Sequence, residues 1–172
     1  MSTDTQEIET QPESGTKPEP QHEWLQQLVG EWKTETEMAM GPGEPIQTFH
    51  GTESVKSLGG LWAMGEGKGP MPDGSEATTY YAIGWDVTLK EYRGCYFGSM
   101  SSHLWKYEGE MSEDQKTLTL NCVGPSFTKD GEMANYRDVI EIIDENYRTL
   151  TGHCEDDNGE WQQLMKMHIR RI

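Results

Sequence analysis

Basic residues are scarce in this chain: 14 lysines and arginines stand against 30 aspartates and glutamates, which gives a formal net charge of −16. Proteins that bind nucleic acids or anionic membranes need basic surface to meet phosphate groups. We therefore expect neither a nucleic acid nor a membrane as a partner. The acidic excess by itself indicates a well-solvated surface.

Long hydrophobic runs are also missing, and the acidic N-terminus lacks the apolar segment of a secretion signal. The three cysteines, Cys95, Cys122 and Cys154, are an odd number without CxxC spacing. Such a pattern is typical of reduced thiols rather than of a disulfide framework. We therefore expect a cytoplasmic protein.

The N-terminal segment has almost no bulky apolar residues. Residues 1–21 contain only Met1 and Ile8 as sizeable apolar side chains, together with three of the eight prolines and five acidic residues. Such a segment cannot bury enough surface to offset the entropy of ordering it. We expect residues 1–21 to form a disordered acidic tail and residues 22–172 to form one domain, which suits a chain of 172 residues.

Alternating polarity dominates the rest of the chain. The segment 22–28, HEWLQQL, places its apolar residues on one helical face and predicts a short helix. In the segment 30–40, GEWKTETEMAM, one strand face would hold Trp32, Thr34, Thr36, Met38 and Met40. The same alternation, interrupted by glycine, proline and asparagine turns, predicts strands at 31–40, 46–57, 60–68, 76–86, 91–99, 103–111, 116–123, 135–144, 146–154 and 160–171.

Consecutive strands with short connections predict an antiparallel meander rather than βαβ units. Closing the sheet hides its edges, and glycines within strands relieve the tight bends that a barrel requires. The sequence therefore predicts an all-β fold, a closed antiparallel up-and-down barrel of about ten strands with a short N-terminal helix. If the first and last strands pair, Met38 and Met40 meet Met165 and Met167 inside.

The short helix, Gly30-Glu31-Trp32 and the strand meander together resemble the calycin group of lipocalins, fatty-acid-binding proteins and nitrobindin-like barrels. In that group a G-x-W near the N-terminus plugs one barrel end. More closely, the chain resembles the uncharacterised domain family 1579 over residues 22–172. The matching segments are HEWLQQLVGEW at 22–32, GPGEP at 41–45, LGGLW at 58–62, IGWD at 83–86 before Tyr92, YEG at 107–109 and KTLTL at 116–120. The resemblance implies a calycin-like barrel and no particular activity.

Nitrobindin-like barrels hold haem through a histidine on the last strand, where this chain has His168. However, His168 shares its parity with Lys166 and Arg170, opposite the apolar face of Met165 and Met167. An axial haem ligand must point into the cavity. We therefore predict no cofactor and keep haem binding as an alternative.

Motifs for catalysis and for metal binding are missing as well. The histidines show no metal-site spacing, and the chain has no G-x-S-x-G. The acidic segment 153–157, HCEDD, leads directly into a turn and is better read as a solvated hairpin end. We predict no catalytic or metal-binding residues, and an unidentified enzyme activity in the cavity stays an open alternative.

A small-molecule cavity is the remaining candidate site. Threonine beside methionine and tryptophan on the first strand is unusual for a fully packed core. The predicted walls of the cavity, rich in aromatic residues as ligand pockets usually are, comprise Trp32, Trp62, Tyr96, His103 and Trp105. Met64 and Tyr107 are further inward candidates.

Arg137 offers a possible anchor for the ligand. If its strand turns Val139 inward, the guanidinium is buried and pairs with Glu53 or with a ligand carboxylate. The alternative register points Arg137 to solvent and turns Tyr136 and Ile140 inward. Both registers are open at this stage.

We expect non-enzymatic binding of a small, largely apolar or carboxylate-bearing ligand inside the barrel. The alternative is an interaction module whose barrel is filled and which self-associates, for example as a homodimer, through an exposed apolar face. A pocket of at least about 300 Å³ would favour binding. A large apolar outer patch without a pocket would favour association.

Overall fold

A computed structural model describes residues 15–71 and 73–172 of the protein. It contains a short helix α1 (Pro20–Leu25), continued by a 3₁₀ turn (Gln26–Leu28). Ten strands follow: β1 (Gly30–Ala39), β2 (Ile46–Leu58), β3 (Trp62–Pro70), β4 (Glu76–Asp86), β5 (Glu91–Gly98), β6 (Ser101–Met111), β7 (Thr117–Pro125), β8 (Met133–Asp144), β9 (Tyr147–Glu155) and β10 (Trp161–Arg171). The ten predicted strands are confirmed, each with ends within two residues of the observed ones.

The sheet closes into a barrel in which each strand pairs antiparallel with its neighbours in the sequence. The barrel closes between β1 and β10, where Met38 lies opposite Met165 and Thr36 lies opposite Met167. The predicted pairing of the first and last strands is therefore confirmed. Met40 is the exception, because it lies beyond the end of β1 and is 45% exposed.

The helix closes one end of the barrel. Pro20 begins α1 at a position that needs no backbone donor, and Glu19 and His22 form a reciprocal capping box. Leu25 and Leu28 are fully buried against the barrel. Trp32 is 2% exposed and donates its indole N–H to the backbone oxygen of Leu28 at 2.9 Å. The main hydrophobic core lies at this helix end.

The predicted tail overlaps the start of this helix. Residues 20 and 21 are helical, and the Glu19 carboxylate accepts a hydrogen bond from the indole N–H of Trp85 at 3.1 Å. Glu19 also lies 3.7 Å from the ammonium group of Lys90. The prediction for residues 1–14 lies outside the described residues. Within the described part of the chain, neither helical element is long and apolar enough to span a membrane.

Candidate functional site

The inner face of the barrel changes character along its axis. At the helix end, Val55, Ile83 and Leu118 are at most 2% exposed. On the side away from the helix the inward-facing side chains are only partly buried, and we call this region the open half. Its partly buried inner side chains include Thr34, Thr36, Thr79, Tyr96, Met165 and Met167.

Glycines enlarge the inner face of the open half. Gly65, Gly67 and Gly69 occupy successive inward positions on β3, alternating with outward residues. A Cβ atom added at Gly69 would meet no atom within 4 Å. At Gly65, by contrast, an added Cβ would lie 2.1 Å from the ring of Tyr81, whose aromatic face occupies that space. Glycine at position 65 therefore makes room for the Tyr81 ring, and glycine at position 69 leaves free space.

A buried ion pair crosses the barrel at mid-height. Arg148 on β9 bonds to the carboxylate of Glu53 on β2, and their side chains are 3% and 11% exposed. Burial raises the pKa of Glu53, although Arg148 and a hydrogen bond from Tyr81 lower it. The Arg148 guanidinium also stacks 4.1 Å above the ring of Trp32. This group connects the floor of the open half to the core at the helix end.

A second polar pair lies beside the first. The hydroxyl of Tyr107 on β6 donates a hydrogen bond to Oδ2 of Asp138 on β8. Burial raises the pKa of Asp138, while the Tyr107 hydrogen bond lowers it. Burial is the main cause of the raised pKa of both Tyr96 and Cys122, and the nearby charge of Asp138 raises both values further. The pKa of Cys122 reaches about 12. Cys122 is therefore an inert thiol at neutral pH.

Five of the seven predicted site residues face the interior. Glu53, Tyr96, His103 and Trp105 lie around the middle and the open half, whereas Trp32 belongs to the packed helix end. His103 and Trp105 continue into an aromatic row with Tyr136, with ring centroids 5.0 and 5.1 Å apart. The row forms one wall of the open half. Tyr107, a further inward candidate, also faces the interior.

The expected inward orientation of Trp62 and Met64 is wrong. Trp62 is 39% exposed and Met64 is 44% exposed on the outer face of β3. The ring of Trp62 lies over Gly84 of the neighbouring strand, where an added Cβ would come within 2.6 Å of it. Inside, β3 presents Ala63 and glycines because the ring of Tyr81 needs that space.

The register of β8 that turns Arg137 inward is also wrong. Tyr136 and Ile140 are 6% and 7% exposed, so the alternate residue Arg137 points outward. Its guanidinium stacks on the ring of Trp161 at 4.3 Å. An unpaired guanidinium would be costly in the interior, which favours this register. Arg137 therefore cannot anchor a ligand inside the barrel.

Four interior residues of the candidate site were missed by sequence reasoning: Tyr81, Tyr107 as a donor to a carboxylate, Asp138 and Arg148. Glu53 does pair with a buried arginine, but the partner is Arg148, which lies 95 positions away in the sequence. Nothing local in the sequence signals that pairing. Asp138 had a local signal, because it shares its parity with Tyr136 and Ile140 on a strand that otherwise turns large side chains inward.

The wall of the barrel is incomplete between β6 and β7. Their pairing runs from Met111 opposite Leu118 to Glu108 opposite Asn121 and does not continue to the other ends of the strands. Across this seam the His103 side chain bonds to the backbone oxygen of Val123 at 3.1 Å. A pocket of about 490 Å³ lies at the seam, lined by His103, Leu104, Lys106, Glu108, Asn121, Cys122, Val123, Asn135, Tyr136 and Trp161.

The histidine of the last strand points away from the cavity. His168 pairs in register with Glu35 and Thr149 on the outer face, and its Nδ1 lies 2.7 Å from the hydroxyl of Tyr147. The residue therefore does not fit an axial ligand for a haem inside the barrel. Residues 15–71 and 73–172 contain no group of three histidine, cysteine or acidic side chains arranged to hold a metal ion.

Comparisons with known proteins agree with this architecture. A family model described as "Protein of unknown function (DUF1579)" matches residues 17–171. The crystal structure of Rv2717c from M. tuberculosis superposes with a TM-score of 0.59 at 11% identity, covering 91% of this chain and 99% of that chain. This likeness shows the fold.

Two further solved structures are similar at lower TM-scores. A redesigned beta barrel gives 0.46 at 11% identity, covering 86% of this chain and 94% of that one. The structure titled EF1p2_mFAP2b bound to DFHBI gives 0.48 at 14% identity, covering 88% and 99%. No curated protein matches the chain.

Proposed function

The chain belongs to the DUF1579 family, and we propose that it binds a small, largely apolar molecule in the open half of its barrel. The observation that carries this proposal is the contrast between the two halves of the inner face. Side chains at the helix end are packed, whereas those of the open half point inward and keep accessible surface. A barrel whose only task was to pack a core would bury both halves.

The chemistry of the open half also supports binding. Its walls combine methionine, tyrosine and tryptophan with a few polar groups at mid-height, which is the usual composition of ligand pockets. The pocket of about 490 Å³ at the seam between β6 and β7 reaches the inward residues His103, Cys122 and Tyr136, and its other lining residues lie on the outer face of the wall. The seam is therefore an opening beside the open half, and its volume is not that of the interior.

A cavity-filling variant tests the proposal. Gly69→Leu places a side chain in free space without backbone strain, because Gly69 does not have a positive φ and its Cβ position is empty. Lys68→Leu is the matched control, since it adds the same side chain at the next position on the exposed outer face. The probe is N-phenyl-1-naphthylamine, a neutral apolar dye whose fluorescence rises when it leaves water.

We expect the wild-type protein and Lys68→Leu to bind the dye equally and Gly69→Leu to lose roughly tenfold or more in affinity, which is about 1.4 kcal/mol. Native mass spectrometry of the purified proteins checks for a bound small molecule that leaves on denaturation. We expect such a molecule to be retained by the wild-type protein and by Lys68→Leu and lost from Gly69→Leu. Equal dye binding by all three proteins would place the dye outside the open half and contradict the proposal, as would no binding to any of them.

A second candidate function, self-association, is favoured by an apolar patch on the outer face of β3 to β6. The patch joins Trp62, Met64, Tyr80, Phe97 and Leu104, each between 39% and 46% exposed. Tyr80 and Phe97 stack with their centroids 5.7 Å apart. Exposed apolar surface of this kind is typical of contact sites between proteins. Sedimentation velocity at several concentrations distinguishes a dimer held by this patch from a monomer.

A further inference from the structure

We propose that Asp138 anchors a positively charged, hydrogen-bond-donating head group of the bound molecule, so that the ligand class is an apolar body carrying a protonated amine. This inference rests on the proposed function, because it names the chemistry of the same cavity. It differs from the expectation of a carboxylate-bearing ligand, because both arginines at inward positions of residues 15–71 and 73–172 already contact acceptor groups.

Charge balance inside the barrel is the first argument. The inward positions of the strands carry charged side chains at Glu53, Asp138, Arg148 and, at the helix end, Arg171. Arg148 bonds to the Glu53 carboxylate through Nη2, whereas its buried Nη1 has no hydrogen-bond partner among the described residues. Arg171 donates to the backbone oxygens of residues 27, 29 and 145 and stays at the closed end. Both arginines therefore have acceptors of their own, and among the inward acids of the described chain Asp138 forms no ion pair.

The hydrogen bonding of Asp138 is the second argument. A carboxylate has two oxygens that accept several hydrogen bonds. Oδ2 accepts the Tyr107 hydroxyl, whereas Oδ1 accepts no hydrogen bond from any described residue. A Cβ atom added at Gly152 would lie 3.4 Å from Oδ1 and 3.0 Å from the Met165 side chain, so glycine at this position lets Oδ1 and Met165 approach each other. The acceptor oxygen without a partner therefore lies beside Met165 on the inner face.

Accessibility is the third argument. Asp138 keeps some accessible surface, although it lies deep enough in the barrel for burial to raise its pKa. A deep side chain can remain accessible only where it borders internal space. A cation that enters this space gains a charge-assisted hydrogen bond, and its attraction to the unpaired carboxylate offsets the cost of desolvating both groups. An anion at the same place would meet repulsion instead.

Three probes with one ring system and different head groups test the inference. They are 2-naphthylmethylamine, which is protonated at pH 7, 2-naphthalenemethanol and 2-naphthoate. Isothermal titration calorimetry measures the affinity of each for the wild-type protein, Asp138→Asn, Gly69→Leu and Lys68→Leu. Asp138→Asn keeps the shape of the side chain and an oxygen that accepts the Tyr107 hydrogen bond while removing the charge.

We expect the wild-type protein to bind the amine at least tenfold more tightly than the naphthoate, with the alcohol between them. In Asp138→Asn the affinities for the amine and the alcohol should lie within about threefold of each other, because the variant lacks the negative charge that attracts the ammonium group. Gly69→Leu should weaken all three probes, and Lys68→Leu should weaken none. Tyr107→Phe is a second variant that leaves the Asp138 charge in place, and it should keep the preference for the amine.

Two results would overturn the inference. If the wild-type protein binds all three probes equally and Gly69→Leu weakens them all, the cavity binds ligands without an anchor, so that the proposed function stands and the role of Asp138 fails. A preference for the amine that survives Asp138→Asn has the same consequence. If the wild-type protein binds none of the probes, both the inference and the proposed function fail.

Discussion

Removing the guanidinium of Arg148 should destabilise the fold more than any substitution on the barrel surface. The side chain is 3% exposed, bonds to the carboxylate of Glu53 and stacks 4.1 Å above the ring of Trp32. In Arg148→Met an apolar chain of similar length replaces it. Glu53, whose side chain is 11% exposed, then remains in the interior without its cation.

The magnitude follows from the cost of that uncompensated charge. Breaking a buried pair by removing one partner costs about 3 to 5 kcal/mol, and loss of the cation–π contact adds about 1 kcal/mol. Because the free energy of unfolding of a domain is about 5 to 15 kcal/mol, Arg148→Met should lose a large share of the total stability. Replacing both partners, as in Glu53→Gln with Arg148→Met, removes the charge and should return the stability to within about 2 kcal/mol of the wild-type value.

Urea unfolding followed by tryptophan fluorescence measures these differences, and the two single variants with the double variant form a double-mutant cycle. Arg137→Met is the matched control, because that arginine also stacks on a tryptophan but lies on the outer face. We expect the control to lose less than about 1 kcal/mol. Refutation would be a loss of less than about 1 kcal/mol in Arg148→Met, or a coupling energy below about 0.5 kcal/mol.

Two further predictions concern the inner face. Gly65→Ala should lower the free energy of unfolding measured in urea by about 1 to 3 kcal/mol, because its Cβ would lie 2.1 Å from the Tyr81 ring. Gly69→Ala should leave the free energy of unfolding nearly unchanged, because its Cβ would meet no atom within 4 Å, and equal effects of the two variants would contradict the packing described. Asp138 has a raised folded pKa, so its contribution to stability is present below the ordinary aspartate value of 3.8 and declines as pH rises toward the folded value. The unfolding free energy of the wild-type protein should therefore fall relative to Asp138→Asn as the pH rises above 3.8, and a constant difference would show that the pKa is not raised.

The strands were predictable because their signals are local. Alternation over 8 to 13 residues and turn sequences such as Asp157-Asn158-Gly159 specify where strands run and end. Closure followed from the need to hide edges, and the match between Met38 and Met165 followed from parity once closure was assumed. None of these steps required knowledge of distant contacts.

Which side chains face the interior was less predictable on strands where the large apolar residues point outward. On β3 the large residues Trp62 and Met64 point outward, and glycines point inward to admit the Tyr81 ring from the next strand. The usual rule that large apolar residues face the core therefore gives the wrong face. The signal that could have corrected it is the glycine spacing at 65, 67 and 69, where the inner face holds in turn the Tyr81 ring, the Thr79 side chain and free space.

The polar centre was the least predictable part. The Glu53–Arg148 contact joins positions 95 residues apart across the barrel, so parity alone cannot pair them. On β8 the register remained open because each parity carries apolar residues, Val139 and Ile143 on one face and Tyr136 and Ile140 on the other; the observed register places Asp138 inside and Arg137 outside. Asp138 is stable inside the barrel because the Tyr107 hydroxyl donates a hydrogen bond to it. An inward Arg137 would lack a partner, because Glu53 already pairs with Arg148.

Methyl NMR of the methionines tests most directly whether the open half of the barrel is the binding site. Met165 and Met167 lie on its inner face, whereas Met64 and Met133 are 44% and 57% exposed on the outside. With ¹³C-methyl methionine, addition of 2-naphthylmethylamine should shift the signals of Met165 and Met167 and leave those of Met64 and Met133 in place. Shifts confined to the outer methionines, or no shifts at saturating probe, would contradict the account.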